Sequence, residues 1–178
     1  MRDICITGLP GSGKGTLATN LCNYAASELG VEALVIVTGD IAREISKDSA
    51  KTGAFAPEDE MRKRVREYID EARHDGKRVI MEGFPRAVPQ LVLAEQILER
   101  PLYVMIDTPV LTCIRRLIKR GRGDDTTDAI GNRMVEHLKI VGGMMDIIQH
   151  GGEEWEDYLV VPNNDLINCK SVAISAEW

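Results

Sequence analysis

Nine residues near the start of the chain, GLPGSGKGT from Gly8 to Thr16, follow directly on the apolar run ICIT. A Gly-rich turn between a strand and a helix aims successive backbone N–H groups into one concavity. The helix N-terminus adds a partial positive charge, and together they hold phosphate oxygens. Glycine is needed because side chains would block so close an approach. Lys14 adds a mobile point charge that can reach the outer phosphates. An ordinary strand–helix turn requires neither the lysine nor its spacing from Gly8. The pattern departs from G-x-x-x-x-G-K-[ST] at one position: Gly15 follows the lysine, and Thr16 arrives one residue late. The hydroxyl after the lysine commonly binds Mg²⁺. Either the metal is held differently here or the loop is defective, and the rest of the chain must decide.

Three further stretches carry charge suited to phosphate. In TGDIAR (38–43), Asp40 is placed to cap the following helix, and Arg43, one turn on, to face the carboxyl edge of a sheet. In EGFPRAVPQ (82–90), Arg86 supplies a guanidinium, which grips phosphate bidentately as lysine cannot. Gln90 offers both a donor and an acceptor, which suits the edge of adenine. In CIRRLIKRGRGDDTTDAIGNR (113–133), Arg116 and Arg120 lie one helical turn apart on a shared face, with Arg122 and Arg133 beyond them. Taken singly, Arg43 reads as a surface arginine, Phe84-Pro85 as a core-anchored turn, and RRLIKR as a basic amphipathic face. None of these readings accounts for the spacings together.

In this order the four stretches resemble the nucleoside monophosphate kinases, adenylate kinase in particular, from about residue 4 to about 135. The loop form G-x-P-G-S-G-K-G-T is the family's, with glycine after the lysine and Mg²⁺ held mainly by nucleotide phosphates and water. The resemblance implies that Gly11, Ser12, Gly13, Lys14, Gly15 and Thr16, with Arg116 and Arg120, bind ATP. It implies that Thr38, Arg43, Gly83, Arg86, Gln90, Arg122 and Arg133 bind the acceptor, AMP, and that Lys14, Arg86, Arg120, Arg122 and Arg133 act in the transfer. Glu82 stands where the family has Asp, and its implied role is to hold Mg²⁺ through water. The few residues that separate the helix carrying Arg116 and Arg120 from the helix carrying Arg133 match the short-lid form. Phosphoryl transfer demands positioning and charge stabilisation more than covalent chemistry, and water competes as acceptor, so the site must close. Two moving parts are expected: an acceptor-binding segment at about 38–75, and a lid near 121–127 with Gly121 and Gly123 for flexibility.

The elements that must position these residues are legible as alternation. Short Val/Ile-rich runs at 4–7, 33–37, 78–81, 102–106 and 158–161 read as strands covered on both faces. Between them lie helical patterns long enough for crossovers. The expected fold is therefore α/β, a P-loop three-layer α/β/α architecture on a five-stranded parallel sheet, in one domain spanning 1–178. Gly30 and Gly76 suit helix stops, Pro57 suits a helix start with Glu58, Asp59 and Glu60 behind it, and DDTTD (124–128) supplies cap candidates. Gly142 and Gly143 predict a kink or break in the last long helix. GAFAPE (53–58), with Phe55, is expected to line the base pocket, and VVPNNDLINCKSV to form a backbone cradle for the donor adenine.

Composition narrows the classes. At 178 residues and 44% hydrophobic, the chain can bury a sizeable core. A net charge of −6 argues against nucleic acid or membrane surfaces as partners. The four cysteines show no metal-ligand spacing and read as small buried thiols. His74, His137 and His150 are scattered, with no partner in sequence that makes one a catalytic base. The N-terminus does not read as a signal peptide, and no apolar run approaches the ~20 residues of a membrane span, so a cytoplasmic monomer is expected. The alternatives are a UMP, CMP or deoxynucleotide kinase of the same family, and a non-catalytic ATP-binding module. A GTPase is disfavoured because NNDL (163–166) lacks the lysine of N-K-x-D.

Overall fold

The computed structural model describes residues 2–45, 57–86, 88–123, 125–150, 158–162, 172–173 and 175–178. Stretch 53–56 with Phe55, stretch 163–171, and Asp124 lie outside the described residues. Five parallel strands form one sheet: β1 (Ile4–Gly8), β2 (Ala33–Val37), β3 (Arg78–Glu82), β4 (Leu102–Asp107) and β5 (Tyr158–Pro162). Their order is β2-β3-β1-β4-β5, so the chain runs to one side of β1 and then to the other. That reversal opens a crevice at the carboxyl end of β1, where ligands of open α/β sheets bind.

Among the described residues the strands are connected by the α-helices α1 (Lys14–Tyr24), extended by a π-helical turn at Ala25–Leu29, α2 (Thr38–Ile45), α3 (Glu58–His74), α4 (Val88–Ile97), α5 (Val110–Arg120) and α6 (Thr127–His150). The central strands β1, β3 and β4 are buried on both faces over most of their length, which is why their apolar runs do not alternate, while the edge strands β2 and β5 are partly exposed. On one face Cys5, Val79, Met81 and Tyr103 pack with Val65, Ile69 and Ala72 of α3 and Leu91 and Ala94 of α4. On the other, Ile4, Ile6, Ile80, Val104 and Ile106 pack with Leu17, Ala18 and Leu21 of α1 and with Val172, Ala173 and Ala176 near the C-terminus. A third, smaller cluster joins Leu9 to Cys113 and Leu117 of α5 and Ile130 and Met134 of α6, and so supports the Gly-rich loop from beneath. The expected three-layer architecture is present.

Most of the punctuation stands as expected. Gly30 and Gly76 end helical segments at φ of +66° and +71°, Pro57 precedes α3, and the Thr126 hydroxyl accepts the Ala129 N–H at 3.2 Å to cap α6. Two expectations are corrected. α6 runs without a break through Gly142 and Gly143. Neither glycine has a positive φ, so each costs the helix only about 1 kcal/mol. Asp40 is not a cap: α2 begins at Thr38, straight off β2, and leaves Asp40 in its first turn, where its carboxylate pairs with Arg43. Among the described residues no helix is long and apolar enough to cross a membrane.

Candidate active site

The loop after β1 is held against α5. A Cβ on Gly11, at φ +80°, would lie 2.6 Å from the Cys113 carbonyl oxygen, and one on Gly8 would lie 2.8 Å from that of Ile106. Glycine is therefore obligatory at both places, and the loop's backbone is fixed by the element beside it. Arg116 Nη1 donates to the Ser12 carbonyl at 3.2 Å, and Thr108 Oγ1 donates to the same oxygen at 3.1 Å. Lys14 folds back over the loop, its Nζ donating to the carbonyls of Gly8 (2.9 Å) and Leu9 (2.8 Å). Burial lowers its pKa to about 8, opposed by the nearby Glu82 carboxylate.

Gly15 and Glu82 are neighbours across the cleft. A Cβ on Gly15 would stand 3.2 Å from Glu82 Oε2. The side chain missing from the loop thus faces the carboxylate that ends β3. The Glu82 carboxylate is also near both buried cations, Lys14 and Arg86, and its charge opposes the loss of protonation at each.

Near Glu82 stands a second cationic group. Arg86 Nε donates to the Gly83 carbonyl at 2.7 Å and Nη2 to the Thr38 hydroxyl at 2.9 Å. Burial pulls the Arg86 pKa down to about 10, which leaves it charged at neutral pH. Thr38 Oγ1 lies 2.9 Å from the Gly83 carbonyl and 3.0 Å from that of Glu82, so its hydroxyl accepts from the arginine while donating to the turn. Gln90 Oε1 accepts the Arg86 backbone N–H at 2.7 Å. The Arg43 and Arg86 guanidiniums converge over Gly39, where both would stand 3.7 Å from an added Cβ. A cavity of about 250 Å³ opens beside them, lined by Thr38, Gly83, Arg86 and Gln90 with apolar walls that include Met61, Val65 and Phe84.

At the junction of α5 and α6 the buried Asp125 carboxylate gathers two arginines. Arg120 binds it bidentately, Nε to Oδ2 at 2.8 Å and Nη2 to Oδ1 at 2.9 Å, and Arg133 Nη2 reaches Oδ1 at 2.7 Å. Burial alone would raise the Asp125 pKa, but these bonds bring it down to about 2. The Arg122 backbone N–H also points to Asp125, at 3.3 Å, while its side chain is exposed and makes no ion pair among the described residues. The expected set is thus brought together at Lys14, Arg116, Arg120, Arg133, Arg43 and Arg86, and the Arg122 side chain stands apart.

Two residues were missed by reasoning from sequence. Asp125 lay inside RGDD and was counted only among the cap candidates of DDTTD. His137 is one turn beyond Arg133, and its Nδ1 lies 2.8 Å from the Arg133 carbonyl. Burial lowers its pKa to about 4, with the charges of Arg86 and Lys14 acting in the same direction. The i, i+4 spacing from Arg133 was the available signal.

The cleft gathers more fixed positive charge than one nucleotide needs, around the Glu82 and Asp125 carboxylates. Such a site stabilises phosphate charge on two partners at once. The class this defines is a P-loop phosphotransferase. A sequence model of the family described as an AAA domain matches residues 7–131. The adenylate kinase of Bacteroides fragilis is 31% identical over 153 residues, which cover 76% of this chain and 78% of that protein. That of Phocaeicola vulgatus is 31% identical over 172 residues, covering 86% and 87%. That of Thermus thermophilus is 31% identical over 150 residues, covering 74% of each. The chain belongs to the adenylate kinase family.

Proposed function

We propose that this chain transfers the γ-phosphoryl group of ATP to AMP, giving two molecules of ADP. The observation that carries the reading is the convergence of Arg43 and Arg86 over Gly39, in the same cleft as Lys14 and Glu82. One cationic group suits the donor's phosphates and the other a monophosphate. The described loop N–H groups and Lys14 grip the β- and γ-phosphates, drawing Lys14 off the Gly8 and Leu9 carbonyls. Arg43 and Arg86 hold the acceptor phosphate in line, and Arg116, Arg120 and Arg133 neutralise the transferring group. In this reading Thr38 releases Arg86 and turns to the acceptor, Arg122 joins when the lid at 121–127 closes, and the segment at 38–75 closes over AMP.

The donor set also fits Mg²⁺ carried by ATP. Glu82 is a hard oxygen donor that faces Gly15 of the loop, placed to hold the ion through its water shell. Among the described residues no cluster of three or more His, Cys, Asp or Glu is placed to hold a metal ion. When bound, Mg²⁺ would neutralise phosphate charge.

A panel of nucleoside monophosphates with ATP and Mg²⁺ tests the reading. ADP formation fastest with AMP is expected. ATP binding without transfer to any acceptor would sink it and favour a nucleotide-binding module. Lys14→Ala and Arg86→Ala should each lose most turnover, on the order of 10²-fold or more, while remaining folded.

A further inference from the structure

One carbonyl of the Gly-rich loop is held by two side chains. Thr108 Oγ1 and Arg116 Nη1 both donate to the Ser12 carbonyl oxygen, at 3.1 and 3.2 Å. A trans peptide is planar, so its carbonyl and its N–H point in opposite directions. Holding the Ser12 carbonyl on these two donors keeps it from turning into the phosphate concavity and frees the Gly13 N–H for phosphate. Gly13 does not fix that orientation itself. It stands at φ +106°, and without a Cβ it tolerates either direction of the peptide before it. Thr108 is placed by the sheet: it follows β4, whose Ile106 pairs with Gly8 at the start of the loop, and it is buried.

The two donors differ in what a nucleotide does to them. Arg116 is a long, half-buried cation on α5. Phosphate oxygens are stronger acceptors for a guanidinium than a neutral carbonyl is, so a bound triphosphate draws it away. Thr108 is short, β-branched and uncharged, and has no such competitor. We propose that Thr108 is a positioning residue, whose hydroxyl keeps the Ser12 carbonyl out of the phosphate concavity while Arg116 exchanges that carbonyl for the nucleotide. This rests on Gly8–Thr16 being the donor loop of the proposed kinase. The free and the loaded chain then need Thr108 unequally. Before ATP binds, Arg116 shares the carbonyl, and loss of the hydroxyl costs little. Once Arg116 has moved to phosphate, the same loss strips a buried acceptor of its remaining pin. Thr108 acts through the loop and not on the nucleotide.

The test uses the full-length chain with Thr108→Val, which keeps the side chain's shape and removes the hydroxyl, and Thr108→Ser, which restores it. Unchanged circular dichroism establishes that each variant is folded. ATP and AMP binding are followed by calorimetry, transfer by initial rates with ATP and Mg²⁺, and the free chain by its thermal midpoint. In Thr108→Val the Kd and KM for ATP should rise roughly tenfold, while those for AMP stay within about twofold. Turnover at saturation should change by less than about threefold, because the loop is needed alike before and during transfer. The midpoint of the free chain should fall by less than about 2 °C. Thr108→Ser should bring ATP binding back to within about threefold of the unaltered chain. In an Arg116→Ala background the hydroxyl is already needed in the free chain, so Thr108→Val there should lower the midpoint by about 4 °C or more. An ATP Kd raised less than about threefold by Thr108→Val, an equal loss in Thr108→Ser, or the same midpoint drop with and without Arg116 overturns the proposal and leaves the kinase reading intact. ATP binding by the unaltered chain with no ADP formed from any acceptor overturns the kinase reading, and the Kd and midpoint series then still decides the role of Thr108.

Discussion

Lys14 is the residue whose chemistry changes most between the free and the loaded cleft. It is buried with a pKa of about 8 and is held by two carbonyls of its own loop. Anionic phosphates at 4–6 Å favour the charged form. At pH 8 about half of the free chains carry a neutral Lys14, so ATP binding there should take up about 0.5 proton. The uptake should vanish at pH 6.5. The slope of calorimetric binding enthalpy against buffer ionisation enthalpy measures it directly. Lys14→Arg, which stays protonated throughout, should bind ATP with no such slope. A comparable slope in that variant would assign the proton to another group. Asp125 is the second residue with a role of its own. Asp125→Asn keeps the side chain's shape but removes the carboxylate that draws Arg120 and Arg133 together. Turnover is expected to fall roughly tenfold to hundredfold through misplacement of the two guanidiniums, with ATP affinity changing less. Steady-state rates and direct ATP titration separate the two effects.

At the scale of elements, the cleft depends on α5 and α6 meeting the loop. Gly11 touches the Cys113 backbone so closely that Gly11→Ala would force loop and helix apart, at a cost of about 1–3 kcal/mol at a positive φ. The thermal midpoint should fall accordingly, and ATP binding with it. His137 reports the same packing through pH. Its folded pKa of about 4 lies below the ordinary value of 6.5, so the unfolded chain takes the proton first as the pH drops. Its contribution to stability is present above pH 6.5 and is lost as the pH falls toward 4, by about 2 kcal/mol at pH 5. His137→Gln should remove that part of the acid limb in urea denaturation at pH 7.5 and 5. These cases also mark what sequence could carry. Strands were legible because burial on both faces leaves unbroken apolar runs such as ICIT. The Gly-rich loop, Lys14 and the arginine spacings were legible because phosphate binding constrains residue type at fixed intervals. Asp40 was misread as a cap because nothing in TGDIAR reveals that α2 starts directly from the strand. His137 was missed because its surroundings come from the loop, from the turn after β3 and from α6, which no local pattern joins. Thr108 drew no attention within IDTPV, since its place against Ser12 comes from the pairing of β4 with β1.

At the scale of the whole molecule the chain is acidic, with net charge −6, yet it directs its cationic groups into one crevice at the carboxyl end of β1. Two nucleotides repel in water, and a single crevice with fixed charge around Glu82 offsets that repulsion only when both are bound. The proposed arrangement can therefore be tested as geometry, apart from turnover. A ligand of two adenosines joined by five phosphates spans donor and acceptor positions together. At about 1,000 times its Kd such a ligand stabilises the fold by about 4 kcal/mol, and at 2–4 °C per kcal/mol the thermal midpoint rises by roughly 10 °C. ATP or AMP alone, at about ten times its own Kd, should raise it by only a few degrees. The variants give the decisive pattern. Lys14→Ala should lose the shift with ATP and keep that with AMP, while Arg86→Ala should do the reverse. Both should lose most of the shift with the bridging ligand, because that ligand needs both ends of one cleft. A bridging shift that survives either substitution would mean that the two cationic groups serve separate sites, and the in-line transfer between them would fall.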